Sequence, residues 1–210
     1  MPRPFREGDR TRLHALAAAY PFATVVGVPS PEAPDEDESA PEIAHLPCLV
    51  DEPLATVQLH VARGNQLGAL AARGARLTAV FRGPHAYVSP RWYTEPTRQV
   101  PTWSYAVVHL SGPARVLGED ALVAQLGAMA ACFEQGAERP WSIDAAAPGI
   151  IQGLLRGVVG IAIDVDRVEG KLKLGQNRTA EDRAGVVRAL EARGAPGDAD
   201  LLALLRATGS

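Results

Sequence analysis

Residues 100–117, VPTWSYAVVHLSGPARVL, read as one long β segment interrupted only at Gly112-Pro113. A strand of that length presents backbone N–H and C=O groups along both edges, and buried ones must find partners on neighbouring strands. The Gly-Pro step predicts a bulge or bend, because proline gives no N–H to a ladder. Segments 23–28, 43–50, 55–62, 76–82, 86–89 and 158–168 are further strands. The last places Val159, Ile161, Ile163 and Val165 on one face and continues through Gly170 to Leu174. Asp51-Glu52-Pro53 reads as the turn between two strands, and Gly83-Pro84 as the break between two others.

Helices fall between these strands. Residues 8–19 form a short one, with Asp9 as N-cap, Leu13 and Leu16 facing inward, and Tyr20-Pro21 as the stop. Residues 64–73 form an alanine-rich helix. Residues 119–135 repeat Leu122, Leu126, Met129 and Phe133 at helical spacing, and 148–156 form another short helix. Thr179 caps the next, with Asp182 at the capping-box position and Gly194 at the stop. The final helix spans about 198–207. The order fits an α+β chain, mainly antiparallel β, as a twisted barrel with peripheral helices. It reads as a single domain over 1–210, closed by a C-terminal helical segment at 179–207. Residues 29–42 hold six acidic residues, four prolines and no basic one, which predicts a solvated loop.

Hydrophobic residues make up 47% of the 210-residue chain and charged ones 21%, as expected of a globular protein with a real core. The formal net charge of −3 argues against a dedicated nucleic-acid binder. Cys48 and Cys132 are far apart, which predicts two free buried thiols in a reducing compartment. No apolar run approaches the roughly 18 residues of a membrane span, so a cytoplasmic location is expected.

The stretch from Tyr87 to His109 gathers two of the three tryptophans and three of the four tyrosines, in a chain only 5% aromatic. Such rings, flanked by Ser89-Pro90 and Pro101-Thr102, suit a planar ligand or a dimer interface, and also ordinary core packing. His60-Val-Ala-Arg-Gly-Asn-Gln66 joins a strand to a helix. Arg63, Asn65 and the backbone near Gly64 make it either a phosphate cradle or a plain turn with a surface arginine. Lys171 and Lys173 share one side of a strand ahead of Gln176, Asn177 and Arg178. That run is either an anion or ring-edge site or a polar loop with a structural cap. The five histidines lack zinc-site spacing, although His45, His60 and His109 lie on different strands and can meet in space. No hydrolase elbow occurs.

Taken together, His60-Val-Ala-Arg-Gly-Asn65, Phe81-Arg-Gly-Pro-His-Ala-Tyr-Val-Ser-Pro-Arg-Trp-Tyr93, Val100-Pro-Thr-Trp103 with Tyr105 and Val108-His109, and Gly170-Lys-Leu-Lys-Leu-Gly-Gln-Asn-Arg178 resemble the PaiB family of FMN-binding negative transcriptional regulators. The order and spacing agree from about Phe5 to Glu191. The resemblance implies a split β-barrel like that of pyridoxamine-phosphate oxidases and flavin reductases, and a homodimer with FMN at the subunit interface. It places the phosphate near His60, Ala62, Arg63 and Asn65, and the ring's polar edge along His45, Leu46 and Pro47. Ser89, Trp92, Thr102, Trp103, Lys173, Gln176 and Asn177 would come from the other subunit. The family's usual Pro, Asn, Trp and Ser stand here as Gln66, Ser104, Leu172 and Gly175. Three functions remain open: an FMN-binding regulator, a flavin-dependent oxidoreductase, and a haem-binding or haem-degrading split barrel with a histidine on iron. DNA binding by the last two helices is weakly supported, because the final helix begins Asp198-Ala-Asp200.

Overall fold

The structure, a computed structural model, describes residues 5–29 and 40–208; most of the expected acidic loop lies outside the described residues. The strands are β1 (Arg6–Glu7), β2 (Phe22–Gly27), β3 (Glu42–Pro47), β4 (Leu49–Val50), β5 (Thr56–Ala62), β6 (Arg76–Val88), β7 (Thr102–Val116), β8 (Val158–Asp164) and β9 (Arg167–Lys173). The helices are α1 (Arg10–Ala19), α2 (Gln66–Ala72), α3 (Glu119–Phe133), α4 (Ile150–Leu155), α5 (Ala180–Arg193) and α6 (Asp198–Ala207). They form an antiparallel, curled half-barrel sheet with several helices, the expected α+β architecture. The chain divides into two compact units. The ladder unit comprises Pro21–Phe81 and His109–Val168, and the terminal unit comprises Met1–Tyr20, Arg82–Val108 and Glu169–Ser210.

In the ladder unit the strand order is β3-β2-β6-β7-β8-β5-β4. The curl shows in β3 and β5, which touch although four strands separate them in that order. Strand β5 pairs with β8 along its whole length, from Thr56 opposite Asp164 to Ala62 opposite Val158. Alternation sends Val57, Leu59, Ile161 and Ile163 to one face, where each is fully buried. Burying each such side chain stabilises the fold by about 1.5–3 kcal/mol. The opposite face carries His60, Gly160, Gln58 and Ala162, with α3 packed over it through Leu122.

Several expectations change. The strand predicted to break at Gly83-Pro84 runs through as β6, but its exposure alternation slips by one residue there. Arg82, His85 and Tyr87 all end up exposed. The bulge expected at Gly112-Pro113 is absent, and β7 alternates without a slip. Gly112 is needed for a different reason: a Cβ there would stand 1.9 Å from the backbone oxygen of Asp164. The single strand expected from 158 to 174 is two, β8 and β9, in different units. Cys48 is buried and its thiol is pushed up to about 12 by desolvation, whereas Cys132 is exposed, not buried as expected; both are free.

In the terminal unit β1 and β7 flank β9. Asp9 caps α1 by accepting from the Thr11 and Arg12 N–H groups. Thr179 caps α5 as expected, accepting from Asp182 N, and the Asp182 carboxylate accepts from the backbone N–H and hydroxyl of Thr94. Gly194 ends α5 at φ 56°, a left-handed conformation that favours glycine. Asp198, 2% exposed, pairs with Arg193 and accepts from Ala195 N.

Two predictions follow from this packing. Gly112→Ala should lower stability by about 2 kcal/mol or more, read as a lower urea midpoint, because backbone, not a mobile side chain, occupies the space. The hydrogen bonds from Arg193, and secondarily that from Ala195, hold the Asp198 carboxyl below its usual range. A depressed carboxylate contributes stability above the unfolded pKa near ~3.9, lost as pH falls through the folded value. Melting temperature should therefore drop below about pH 4, and Asp198→Asn should flatten that drop.

Candidate functional site

The expected site residues fall into two clusters, one in each unit. In the ladder unit, His45, Leu46 and Pro47 lie on β3, at the end of the strand order. Its β2 side is paired, with Thr24 opposite His45, and no strand among the described residues pairs with its other side. His45 Nδ1 lies 3.0 Å from the Thr24 hydroxyl, and the residue is exposed.

His60 and Ala62 occupy the end of β5. His60 Nδ1 is buried without a hydrogen-bond partner, and desolvation lowers the histidine's pKa. Arg63 and Asn65 have structural bonds that the sequence did not reveal. Asn65 is the N-cap of α2, its side chain accepting from Leu67 N at 2.9 Å. Arg63 donates from Nε to Arg156 O at 2.6 Å, and from Nη2 to Leu155 O at 3.3 Å and Val158 O at 3.2 Å. Its guanidinium thus satisfies carbonyls at the C-terminal end of α4, which would otherwise lack partners. These carbonyls lie more than ninety residues along the chain, beyond the reach of local pattern.

The terminal unit holds the aromatic cluster. Trp103 is 52% exposed on β7, with its ring centroid 6.2 Å from those of His85 and Tyr87. Tyr87 meets Trp92 edge-on at 6.5 Å, and the Arg193 guanidinium lies 5.3 Å from the Trp92 ring centre. Lys171 lies 5.1 Å from the Tyr105 ring centre. Arg82, His85, Trp103, Tyr105 and Val107 line an open depression of about 350 Å³. Arg82, His85 and Arg193 were not expected in this cluster. The alternation slip at Gly83-Pro84 was the available signal for the first two.

The remaining candidates divide by role. Lys173 Nζ donates to the Thr102 hydroxyl. Ser89 is buried and caps the short turn Pro90–Trp92, accepting from Arg91 N. Gln176 closes its own turn, accepting from Leu174 N and donating to Leu172 O. Asn177 is exposed. Ser104 faces away from Trp103, buried beside a cavity of about 20 Å³ with Tyr93, Arg178 and Leu205. Leu172 is a core residue, and Gly175 adopts φ 84°. No helix among the described residues is long and apolar enough to cross a membrane.

A curled antiparallel half-barrel sheet with several helices is the fold of the split-barrel class. The chain belongs to the PaiB-type family whose model, described as "Putative FMN-binding domain", matches residues 1–167. It is 32% identical over 193 residues to the "Protease synthase and sporulation protein PAI 2" of Bacillus subtilis, covering 91% of this chain and 88% of that protein. Among solved structures, the FAD and haem binding protein of Mycobacterium smegmatis shares the fold at TM-score 0.60 and 19% identity, covering 85% of this chain and 78% of that one. The flavocytochrome Anf3 of Azotobacter vinelandii does so at TM-score 0.53 and 15% identity, over 86% and 75%.

Arg63→Ala should destabilise the ligand-free protein by about 1–2 kcal/mol through the orphaned carbonyls at the α4 end. An unchanged urea midpoint would show that the guanidinium does not hold that end.

Proposed function

We propose that the protein binds FMN between two copies of itself, with the β3 edge and the His60 turn from one copy and the Trp103 face from the other. The observation that carries this reading is the exposed Trp103 wall beside Arg82 and His85. Half-exposed aromatic rings edged by cations suit a planar, electron-poor ring and its phosphate. Backbone groups on the open side of β3 suit a pyrimidine edge. Bound FMN supplies one- and two-electron chemistry; the chain's part is to hold and orient it.

Charge supports the pairing. The terminal unit has fourteen Lys and Arg against nine Asp and Glu, whereas the ladder unit has seven against fifteen. Opposite net charges steer one copy's terminal unit towards the other copy's ladder unit. The regulator and oxidoreductase readings share this site and part at DNA. Asp198 at the start of α6 is taken up by Arg193, and Leu201, Leu202 and Leu205 are buried. This supports regulation without groove reading by α6.

Haem is the second reading. It is favoured by His45, whose Nδ1 lies against the Thr24 hydroxyl, the kind of contact that orients an imidazole whose other nitrogen binds a metal. Solved relatives described as binding haem alongside a flavin give it context.

Absorbance separates the readings: a yellow flavin spectrum on adding FMN supports the first, and a Soret band with haem supports the second. Trp103→Ala should weaken FMN about tenfold, as expected for loss of one stacking ring. Absence of fluorescence quenching or retention at micromolar FMN would sink the flavin site. Light scattering should give a dimer, and a strict monomer contradicts the shared site. A salt-titrated gel shift on the protein's own promoter tests direct DNA binding.

A further inference from the structure

Gln125 is the one polar side chain on the buried stripe of α3. It is 2% exposed, and neither its Oε1 nor its Nε2 has a hydrogen-bond partner. Nδ1 of His60 is the other buried side-chain atom in that condition among the described residues. The ladder register brings these groups to one place. His60 lies opposite Gly160 across β5 and β8, and opposed residues of an antiparallel pair present their side chains to the same face. Gly160 has no side chain to present, and the Gln125 amide lies over it. A Cβ on residue 160 would stand 3.1 Å from Gln125 Oε1 and 2.9 Å from Leu122 Cδ1. The amide and the imidazole therefore share the space above one glycine.

An unpaired amide and an unpaired ring nitrogen are each costly to bury, and one arrangement relieves both. We infer that Gln125 is a positioning residue: it donates Nε2–H through one buried water to Nδ1 of His60 and so holds the imidazole as the neutral Nε2–H tautomer. The reverse tautomer would bury a ring N–H beside two amide N–H groups with a single oxygen to receive them. Orphaned N–H groups are rarer in protein interiors than under-satisfied carbonyls, which selects Nδ1 as the acceptor. Desolvation lowers the pKa of the ring, in agreement with this role. The tautomer at one ring nitrogen is set by the bond made at the other. His60 then offers a donor of fixed identity at Nε2, suited to an oxygen of a phosphate or a ring carbonyl. This last step rests on the reading that places the flavin at the His60 turn.

The test uses the full chain, without ligand, labelled with ¹⁵N-histidine. Long-range ¹H–¹⁵N spectra should show His60 unprotonated at Nδ1 and protonated at Nε2. Gln125→Leu should mix the two tautomers, and Gln125→Glu, which brings an acceptor carboxylate, should shift the proton to Nδ1. A wild-type His60 protonated at Nδ1, or a Gln125→Leu spectrum identical to wild type, overturns the inference. In a parallel FMN titration, Gln125→Leu should weaken binding about fivefold with the melting temperature held or raised. Unchanged affinity would remove the positioning role. The two readings fail separately: a fixed Nε2–H tautomer in a wild type that ignores FMN overturns the flavin site alone. FMN binding with Nδ1 protonated overturns the tautomer alone.

Discussion

Helix α3 can close on the β5–β8 ladder because residue 160 is glycine. Leu122, Gln125 and Leu117 occupy the volume a side chain there would need. The same region is pinned by the backbone, with Leu117 N donating to Gly160 O at 2.8 Å and Arg63 N to Gly157 O at 2.8 Å. The end of the ladder that carries His60, Ala62 and Arg63 is thereby held on one face by α3 and at its tip by the α4 end. A close-packed interior transmits such constraints because its neighbours have no free volume into which to relax. The chemistry offered by the His60 turn depends on an absent Cβ on the neighbouring strand.

The terminal unit solves a different problem, which is to keep large rings at the surface without losing their geometry. Alternation along β7 puts Trp103 outward and Ser104 inward. Arg193 then ties the parts together: it pairs with Asp198, donates to Tyr87 O at 3.3 Å and lies over Trp92. A guanidinium over a half-buried indole contributes only about 1 kcal/mol, so its value is in orientation. Gly185 permits the approach of α5 to this corner, since a Cβ there would stand 2.2 Å from Trp92 O. The C-terminal helices thus serve as a brace for the aromatic face, which accounts for the burial of the leucines of α6.

Much of the fold was legible because it rests on local signals. The caps Asp9 and Thr179, the stop at Gly194 and the alternation of β5 and β8 are each written within a few residues. The misreadings came where local and tertiary demands compete. Gly83-Pro84 looks like a break but is carried through β6, because Gly83 admits Leu16 from α1 at a distance no side chain would allow. Gly112-Pro113 looks like a bulge but answers to Asp164 on the neighbouring strand. Arg63 reads locally as either a phosphate ligand or a surface arginine, and its donation to carbonyls far along the chain leaves no local mark.

The sequence by itself determined the class of the protein, since its ordered motifs resemble those of a flavin-binding split-barrel family, and it named the residues expected around a cofactor. Only the tertiary structure decided what those residues are available to do. Ser89, Asn65, Gln176 and much of Arg63 serve caps and turns, while His60 is left with an unsatisfied nitrogen beside Gln125. The physical reason is that each polar group makes few hydrogen bonds. Which partner takes them is settled by atoms brought together from distant parts of the chain, and local pattern contains no record of those meetings.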